Sequence, residues 1–344
     1  MKRIFIGVDF SKLKFDVAVF EGATKEYLGF SVFENNLEGC QQALAWVATV
    51  TDVSPNGWLV CGEHTGLYSV TLTHYLCASG VAVSLEPGLQ IKLSKGMTRG
   101  KNDKIDAGYI AEYAYRFQDK VKPYRAASAA LSGLKDLVAY RNRLLGFKKS
   151  LTTSQQELQR VKADQTAVAF IYDDSKAAVN DLNARIKRVE AAMRDILQSD
   201  AELLENYALL TSIKGVGMLN AVVFLVVTGN FTLFSSARKL GSYCGVVPFE
   251  HRSGSSIRGR DKVSKLANKK MKVLLTLAAR TAVLHDPVLR AYYLRKLAEG
   301  KHDRVIINNV RNKLVHRMFA VVRDKKRYDP SITHPCSRRL DIFF

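Results

Sequence analysis

Along the first part of the chain, strand-like apolar runs alternate with segments of helical spacing. Residues 4–10 and 15–20 are rich in β-branched and aromatic side chains, and the polar link 11–14 between them predicts a β-hairpin. A third run, 27–33, predicts another strand, whereas residues 37–50 place apolar side chains at helical intervals. The chain is therefore predicted to begin with three strands and a helix.

The same alternation continues to about residue 115. Short apolar runs predict strands at 58–61 and 81–85, and helical patterns cover 68–78 and 104–115. The predicted order βββαβαβα is that of the ribonuclease H-like fold, a hairpin-led sheet flanked by helices. Residues 1–125 are accordingly predicted to form one α/β domain.

Residues 126–206 follow a seven-residue period instead. One seam runs through Leu137, Leu144, Leu151 and Leu158, with Tyr140, Phe147 and Val161 in a companion seam. A second stretch has the same spacing at Leu182, Ile186, Val189, Met193, Ile196 and Leu203. Alternating steps of three and four are typical of coiled coils. We therefore predict an antiparallel helical hairpin that turns near Asp173–Asp174 and acts as a connector.

Residues 207–344 are predicted to form a basic, mainly helical domain. The turn that contains Gly215 and Gly217 precedes an apolar helix at 219–227 and resembles a helix-hairpin-helix element. Backbone N–H groups at such a helix start can hold a phosphate. Basic amphipathic helices are predicted at 262–282 and 288–323, and the Gly/Ser/Arg-rich stretch 252–260 is predicted to be a loop.

Positive charge is concentrated at the C-terminal end of the chain. The formal net charge is +20, and residues 251–344 hold 23 Lys or Arg against 7 Asp or Glu, a net charge of +16. A basic domain attached to a nearly neutral remainder is typical of nucleic-acid binding. No apolar run reaches the ~20 residues of a membrane span. The five cysteines are scattered and form no C-x-x-C pair, which favours a cytoplasmic protein without structural zinc.

Four carboxylates fall at informative places in the predicted elements. Asp9 lies in the first strand, Glu63 follows the fourth, and Asp103 and Asp106 share one face at a helix start. In a ribonuclease H-like sheet these positions converge, and Mg²⁺ takes such oxygen ligands. Two ions, for which Mn²⁺ is a possible substitute, would serve an in-line phosphoryl displacement. The alternative is that these acids are unrelated. In that case Asp103 caps a helix, Asp106 is a surface acid and Asp9 is a lone buried carboxylate.

Basic side chains near these acids and in the 252–260 loop are candidate phosphate ligands. A small, flexible loop lets a nucleic-acid backbone approach, and arginine pairs with phosphate. A serine of this loop is a candidate nucleophile, unless the hydroxyls only hydrogen-bond phosphate. The candidate nucleic-acid ligands are Lys95, Arg99, Lys101, Gly215, Gly217, Arg252, Arg258, Arg260, Lys262 and Lys265.

Five short segments, in order, make the chain resemble the transposases of the insertion sequence 110 family, which are related to Piv-type DNA invertases. The segments are Ile6-Gly7-Val8-Asp9, Glu63-His64-Thr65-Gly66, Asn102-Asp103-Lys104-Ile105-Asp106-Ala107, Ile213-Lys214-Gly215-Val216-Gly217, and Gly245-Val246-Val247-Pro248 leading to Ser253-Gly254. The resemblance implies a RuvC-like DEDD domain at 1–125, a coiled-coil connector at 126–206 and a transposase domain with a serine loop at 207–344.

The resemblance also implies the chemistry. It maps the DEDD metal ligands onto Asp9, Glu63, Asp103 and Asp106. The nucleophile maps onto Ser253, with Ser255 and Ser256 as rivals. The implied reaction cuts and exchanges DNA strands through a phosphoserine-linked intermediate, at a composite site in a homodimer or homotetramer. Donor and target double-stranded DNA and a structured non-coding bridge RNA are the implied partners.

Three other functions remain open. A metal-dependent RuvC-like nuclease or Holliday-junction resolvase would use the same acids with water as the nucleophile. An actin-like ATPase or sugar kinase also begins with a Gly-Val-Asp strand, but this chain has no second Gly-rich phosphate loop. A non-enzymatic nucleic-acid scaffold would bind DNA without breaking it.

Overall fold

The computed structural model of the protein describes residues 2–94, 103–124, 126–162, 166–253, 257–264 and 266–331, with the backbone alone for 250–253 and 257–262. The chain divides into two compact units, Met1–Ala126 and Ala127–Phe344. In the described part of the chain, no helix is both long and apolar enough to cross a membrane.

The first unit is built on a five-stranded mixed sheet. Its strands are β1 (Ile4–Phe10), β2 (Lys14–Glu21), β3 (Glu26–Glu34), β4 (Trp58–Glu63) and β5 (Ala82–Glu86). Their order across the sheet is β3-β2-β1-β4-β5, with β1, β2 and β3 antiparallel and β1, β4 and β5 parallel. Each predicted strand is present, and this arrangement is consistent with a ribonuclease H-like start.

Helices cover both faces of this sheet. They are α1 (Leu37–Val50), α2 (Val70–Ala78), α3 (Gly88–Ser94) and α4 (Asp103–Arg116), of which α3 was not predicted. Alternate β1 side chains such as Ile6 and Val8 are buried in one core with α1 and α2. Phe5 points the other way, into the core that α4 covers. Because Asp9 has the same parity as Phe5, it lies on the α4 face.

The second unit begins with two long helices, α5 (Ala129–Lys162) and α6 (Thr166–Gln198). Arg141 on α5 pairs with Glu190 on α6 at 2.8 Å, and Gln155 donates to the Tyr172 carbonyl at 3.2 Å. These contacts make the helices antiparallel, as predicted. The turn is misplaced in the prediction, since Asp173 and Asp174 lie inside α6 on its exposed side, where carboxylates remain hydrated.

On α5, the leucine seam and its companion seam differ in burial. Leu144 is buried, whereas Phe147 and Val161 of the companion seam are exposed. Two helices share a single interface, so one seam on each is enough to fill it. Leu134 and Met193 also belong to the same core as Leu210, so packing continues past the predicted boundary at residue 206. A separate coiled-coil connector remains a prediction.

The rest of the second unit is mostly helical. Its elements are α7 (Ala201–Thr211), α8 (Met218–Thr228), α9 (Ala237–Tyr243), β6 (Phe249–Ser253), β7 (Ile257–Lys262), α10 (Lys269–His285), α11 (Pro287–Ala298) and α12 (Asp303–Asp324). Two predictions are corrected here. Residues 252–253 and 257–260 belong to the paired strands β6 and β7 rather than to a loop, and 288–323 is two helices. Gly300, at a φ of +77°, ends the first of these, because this left-handed conformation stops a helix.

Candidate active site

Carboxylates cross the sheet in a row on its α4 face. Asp9 pairs in register with Asp16 on β2, and Glu63 pairs with Glu86 on β5. Strands β1 and β4 are neighbours, with Val8 opposite Gly62, so Asp9 and Glu63 are at the same level. Four adjacent strands therefore each contribute one acid at the same end of the sheet.

Helix α4 adds the other two predicted acids. It begins at Asp103, and Asp103 and Asp106 lie in its first turn. A Cβ atom on Gly7 would stand 2.0 Å from the Ala107 carbonyl oxygen and 2.3 Å from the Ala111 nitrogen. Because glycine has no Cβ, β1 and α4 approach closely there. Gly7 thus holds the strand that carries Asp9 against the helix that carries Asp106.

The acids repel one another. The pKa of half-buried Asp9 is raised to about 6, first by burial and then by the negative charges of Asp106, Asp103, Glu63 and Asp16. Both causes disfavour the ionised carboxylate. The predicted DEDD acids therefore share one electrostatic environment in this structure.

One cation of the protein already lies among these carboxylates. The Lys14 ammonium is 3.3 Å from an Asp103 oxygen and 3.5 Å from an Asp16 oxygen. Both charges raise the pKa of Lys14, the hydrogen bond to Asp103 most of all. The bridging position of this positive charge is consistent with a cluster that favours cations. The oxygen donors also suit Mg²⁺ or Mn²⁺.

Glu63 is placed by a second glycine. A Cβ atom on Gly88, at the start of α3, would stand 1.9 Å from the Glu63 Oε1 atom and 2.4 Å from its Cδ. Gly88 does not have the positive φ that would itself require glycine. The missing side chain at position 88 therefore leaves the room that the Glu63 carboxylate occupies.

Asp16 and Glu86 were not among the predicted site residues. Asp16 is 7% exposed and lies opposite Asp9, while Glu86 accepts a 2.8 Å hydrogen bond from Ser84. A hairpin of 4–10 and 15–20 joined by 11–14 can pair position 9 with position 16, so the sequence held a signal for Asp16 that the prediction did not use. Nothing comparable marked Glu86, because helix α2 separates its strand, β5, from the partner strand β4.

Within the described ranges, no group of three or more His, Cys, Asp or Glu side chains is arranged closely enough to hold a metal ion as it stands. The chemistry of the donors and the repulsion at Asp9 nevertheless fit a cation. Asp9, Glu63, Asp103 and Asp106 are the residues that would hold it.

In the second unit, Ser253 is the last residue of β6. The backbone register places Ser253 opposite Ile257 and Arg252 opposite Arg258. Arg260 and Lys262 lie further along β7. Like charges directly opposite each other destabilise a hairpin. This register is therefore compatible with an anionic partner.

The two predicted phosphate-binding glycines differ in their surroundings. Gly215 has a φ of +92°, and a Cβ there would stand 2.4 Å from the Ala278 carbonyl oxygen of α10. Its conformation and close packing explain the glycine without a ligand. Gly217 is exposed at the start of α8, with open space around it. Lys95, Arg99, Lys101, Lys265, Ser255 and Ser256 lie outside the described residues.

Family profiles match both units of the chain. Residues 6–161 match the DEDD transposase profile of IS110 elements, and residues 207–294 match the profile "Transposase IS116/IS110/IS902 family". The chain belongs to the IS110 family of transposases. Membership implies that it cleaves and transfers strands of DNA, so DNA is its substrate.

Individual relatives support this assignment. This IS110-family transposase is 25% identical to the pilin gene-inverting protein of Moraxella bovis over 338 residues, which cover 96% of this chain and 99% of the relative. It is 37% identical to a 43.6 kDa protein of insertion element IS110 from Streptomyces coelicolor over 170 residues. These cover 48% of this chain and 42% of the relative. An IS900 protein of Mycobacterium paratuberculosis is 25% identical, and the match covers 96% of this chain and 98% of the relative.

Proposed function

We propose that this transposase cuts and exchanges DNA strands with Ser253 as the nucleophile and with Asp9, Glu63, Asp103 and Asp106 as ligands of two Mg²⁺ ions. The observation that carries the proposal is the cluster of mutually repelling acids around Asp9, with its pKa raised to about 6. Such repulsion is relieved when cations bind. Bound ions would supply charge neutralisation at the reacting phosphate, and Mn²⁺ would replace Mg²⁺.

In the proposed step, the Ser253 Oγ attacks the phosphorus of a DNA phosphodiester. An Oγ–P bond forms, and the bond from phosphorus to the oxygen of the leaving strand breaks. The serine proton passes to a base, and the leaving oxygen takes up a proton to become a strand-end hydroxyl. Because one phosphodiester replaces another, a strand hydroxyl can reverse the step and reseal the DNA.

The proposed partners follow from the family and from the charge. A relative named a pilin gene-inverting protein favours strand exchange over cleavage alone. The net charge of +16 in residues 251–344 suits donor and target duplexes and a structured bridge RNA. Base pairing by that RNA would choose the sequence while the protein holds backbone and shape. We place this activity in the cytoplasm, in a homodimer or homotetramer.

The nucleophile is tested by trapping the adduct. End-labelled DNA is incubated with the protein and Mg²⁺, and protein-linked label is measured on a denaturing gel before and after proteolysis. We expect adduct from the native chain and from the Ser255→Ala and Ser256→Ala variants, and none from Ser253→Ala. An adduct that persists in Ser253→Ala and disappears in one of the other two variants would move the nucleophile to that serine.

The same gels test the alternative function. The acid cluster belongs to the first unit alone, and this favours a metal-dependent RuvC-like nuclease or Holliday-junction resolvase as the second candidate. That enzyme would cleave DNA equally well in Ser253→Ala and form no adduct. Sequencing the nucleic acid that co-purifies with the protein tests the guide. A discrete non-coding RNA supports the bridge RNA, whereas random fragments contradict it.

A further inference from the structure

The turn that leads into β6 is contacted by side chains from two helices. Asn308 on α12 donates to the Val246 carbonyl at 2.9 Å. A Cβ atom on Gly245 would stand 3.9 Å from the Lys272 Cδ atom on α10. Arg311 donates from Nη1 to the Asn308 Oδ1 at 3.3 Å. Lys272 and Arg311 therefore lie beside the turn from which the strand carrying Ser253 begins.

These two cations are poorly neutralised. In the part of the chain that the structure describes, no carboxylate lies within 4.0 Å of either positive group. The Arg311 Nε atom is buried and has no hydrogen-bond partner there. Asp303, the carboxylate that acts on Arg311, is engaged by Arg280 at 3.2 Å and by the Tyr293 hydroxyl at 2.9 Å. Arg311 therefore retains an unused, inward-facing donor.

Burial and repulsion between like charges both disfavour the charged forms of Lys272 and Arg311. Burial lowers the pKa of Lys272, and the Arg311 charge lowers it further. Burial also lowers the pKa of Arg311, as does the charge of Arg280. A group whose pKa is lowered on folding destabilises the folded protein when it is charged. Among the described residues, the surroundings of Lys272 and Arg311 thus disfavour their charged forms.

We propose that Lys272 and Arg311 form a binding site for a backbone phosphate of the DNA strand that passes the Ser253 hairpin. A phosphate at this place would put one negative charge beside Lys272 and Arg311, which are both partly exposed. The arginine fork matches phosphate oxygens, and lysine supplies a second charge. The choice of DNA rests on the proposed function, because DNA is the strand that Ser253 attacks.

The test compares two double variants of equal charge in a Ser253→Ala background, in EDTA so that metal-dependent cleavage is also prevented. The site variant combines Lys272→Gln with Arg311→Gln. The matched control combines Lys270→Gln with Arg290→Gln, two exposed cations of the same helical region. Binding to a fluorescent duplex DNA and to an RNA duplex of equal length is measured by anisotropy across a salt series, together with thermal unfolding.

For the site variant we expect a roughly tenfold loss of DNA affinity and a salt slope shallower by about 1, because one phosphate is no longer bound. The control keeps its slope. Removing two repelling cations should also leave the melting temperature of the site variant equal or higher, whereas loss of a structural role would lower it. Lys272→Arg keeps the charge and should keep the slope.

Equal losses in the two double variants would overturn the proposal, because net charge alone would then explain binding. A loss confined to RNA would also overturn it, as would a lower melting temperature in the site variant. These measurements are independent of the nucleophile. Every variant lacks the Ser253 hydroxyl, so a failed adduct experiment would leave this result readable, and the reverse also holds.

Discussion

Each unit of this transposase contains a carboxylate withdrawn from water, and the two have opposite surroundings. Asp286, in the second unit, is 1% exposed and accepts from Arg317 at 2.7 Å, from the Tyr328 hydroxyl at 2.8 Å and from the Leu289 N–H at 2.9 Å. Asp9, in the first unit, is half-buried among acids, which with burial raise its pKa to about 6.

This difference distinguishes a carboxylate with a structural role, Asp286, from a candidate functional one, Asp9. A buried charge with a cation and several donors is compensated, and it can fix the packing around it. Asp286 ties the start of α11 to α12 and to Tyr328 near the end of the described chain. A carboxylate surrounded by other carboxylates is destabilised within the folded protein. Within the described residues, no cation pairs with Asp9 as Arg317 pairs with Asp286, so the surroundings of Asp9 favour binding of an added cation.

The largest expected effect is on chemistry at Asp9. Replacing Asp9 with Asn should reduce Mg²⁺-dependent DNA cleavage on the order of 10³-fold, the scale for losing one strong electrostatic group at a reacting centre. Measured by thermal unfolding in EDTA, the variant should be at least as stable as the native chain, because a repelled charge is gone. Exposed Asp52→Asn is the control and should change neither property. Native cleavage rates in Asp9→Asn would remove Asp9 from the site.

Replacing Asp286 with Asn should instead lower the stability of the protein. Asp286→Asn leaves the largely buried Arg317 without its counter-ion, which should lower the free energy of unfolding by about 3 kcal/mol in a denaturant titration. Asp195→Asn, on the exposed side of α6, is the control, with a change within about 0.5 kcal/mol. If Asp286→Asn unfolds at the native midpoint, the paired carboxylate is not structural and the contrast fails.

Gly88→Ala should separate positioning of Glu63 from stability. The new methyl group would displace the Glu63 carboxylate, the flexible end of a side chain, so folding should be nearly unchanged. We expect Mn²⁺ affinity, measured by calorimetry, to fall about 10- to 100-fold, as for loss of a group that orients a metal ligand. Gly146→Ala, in open space on α5, serves as the control. Unchanged Mn²⁺ affinity would mean that Glu63 does not need this room.

The smallest effect is the pH dependence of metal-free stability. Because the folded pKa of Asp9 is about 6, above its ordinary value of 3.8, the folded state holds the proton more tightly. Its contribution to stability is therefore present at low pH and is lost as the pH rises through about 6. In EDTA, the melting temperature of Asp9→Asn minus that of the native chain should grow between pH 5 and pH 7.5. A constant difference would contradict the repulsion.

The local pattern of apolar residues was sufficient to predict much of the fold. The strand run 4–10 and the helix 37–50 have the bounds that alternation and apolar spacing predicted. The short helix α3 was missed because seven residues give too little periodicity. The long stretch 288–323 was predicted as one helix because its apolar spacing continues, and the break depends on the backbone conformation at Gly300.

The sequence by itself determined the family, the order of the five strands in the first unit, and the excess of positive charge near the C-terminus. Each of these resides in local composition or in short segments of fixed order. Only the tertiary structure decided that Glu86 extends the row of acids, that Gly88 makes room for Glu63, and that Lys272 and Arg311 flank one turn. Such neighbours are set by strand register and helix packing between distant parts of the chain, and no local pattern records them.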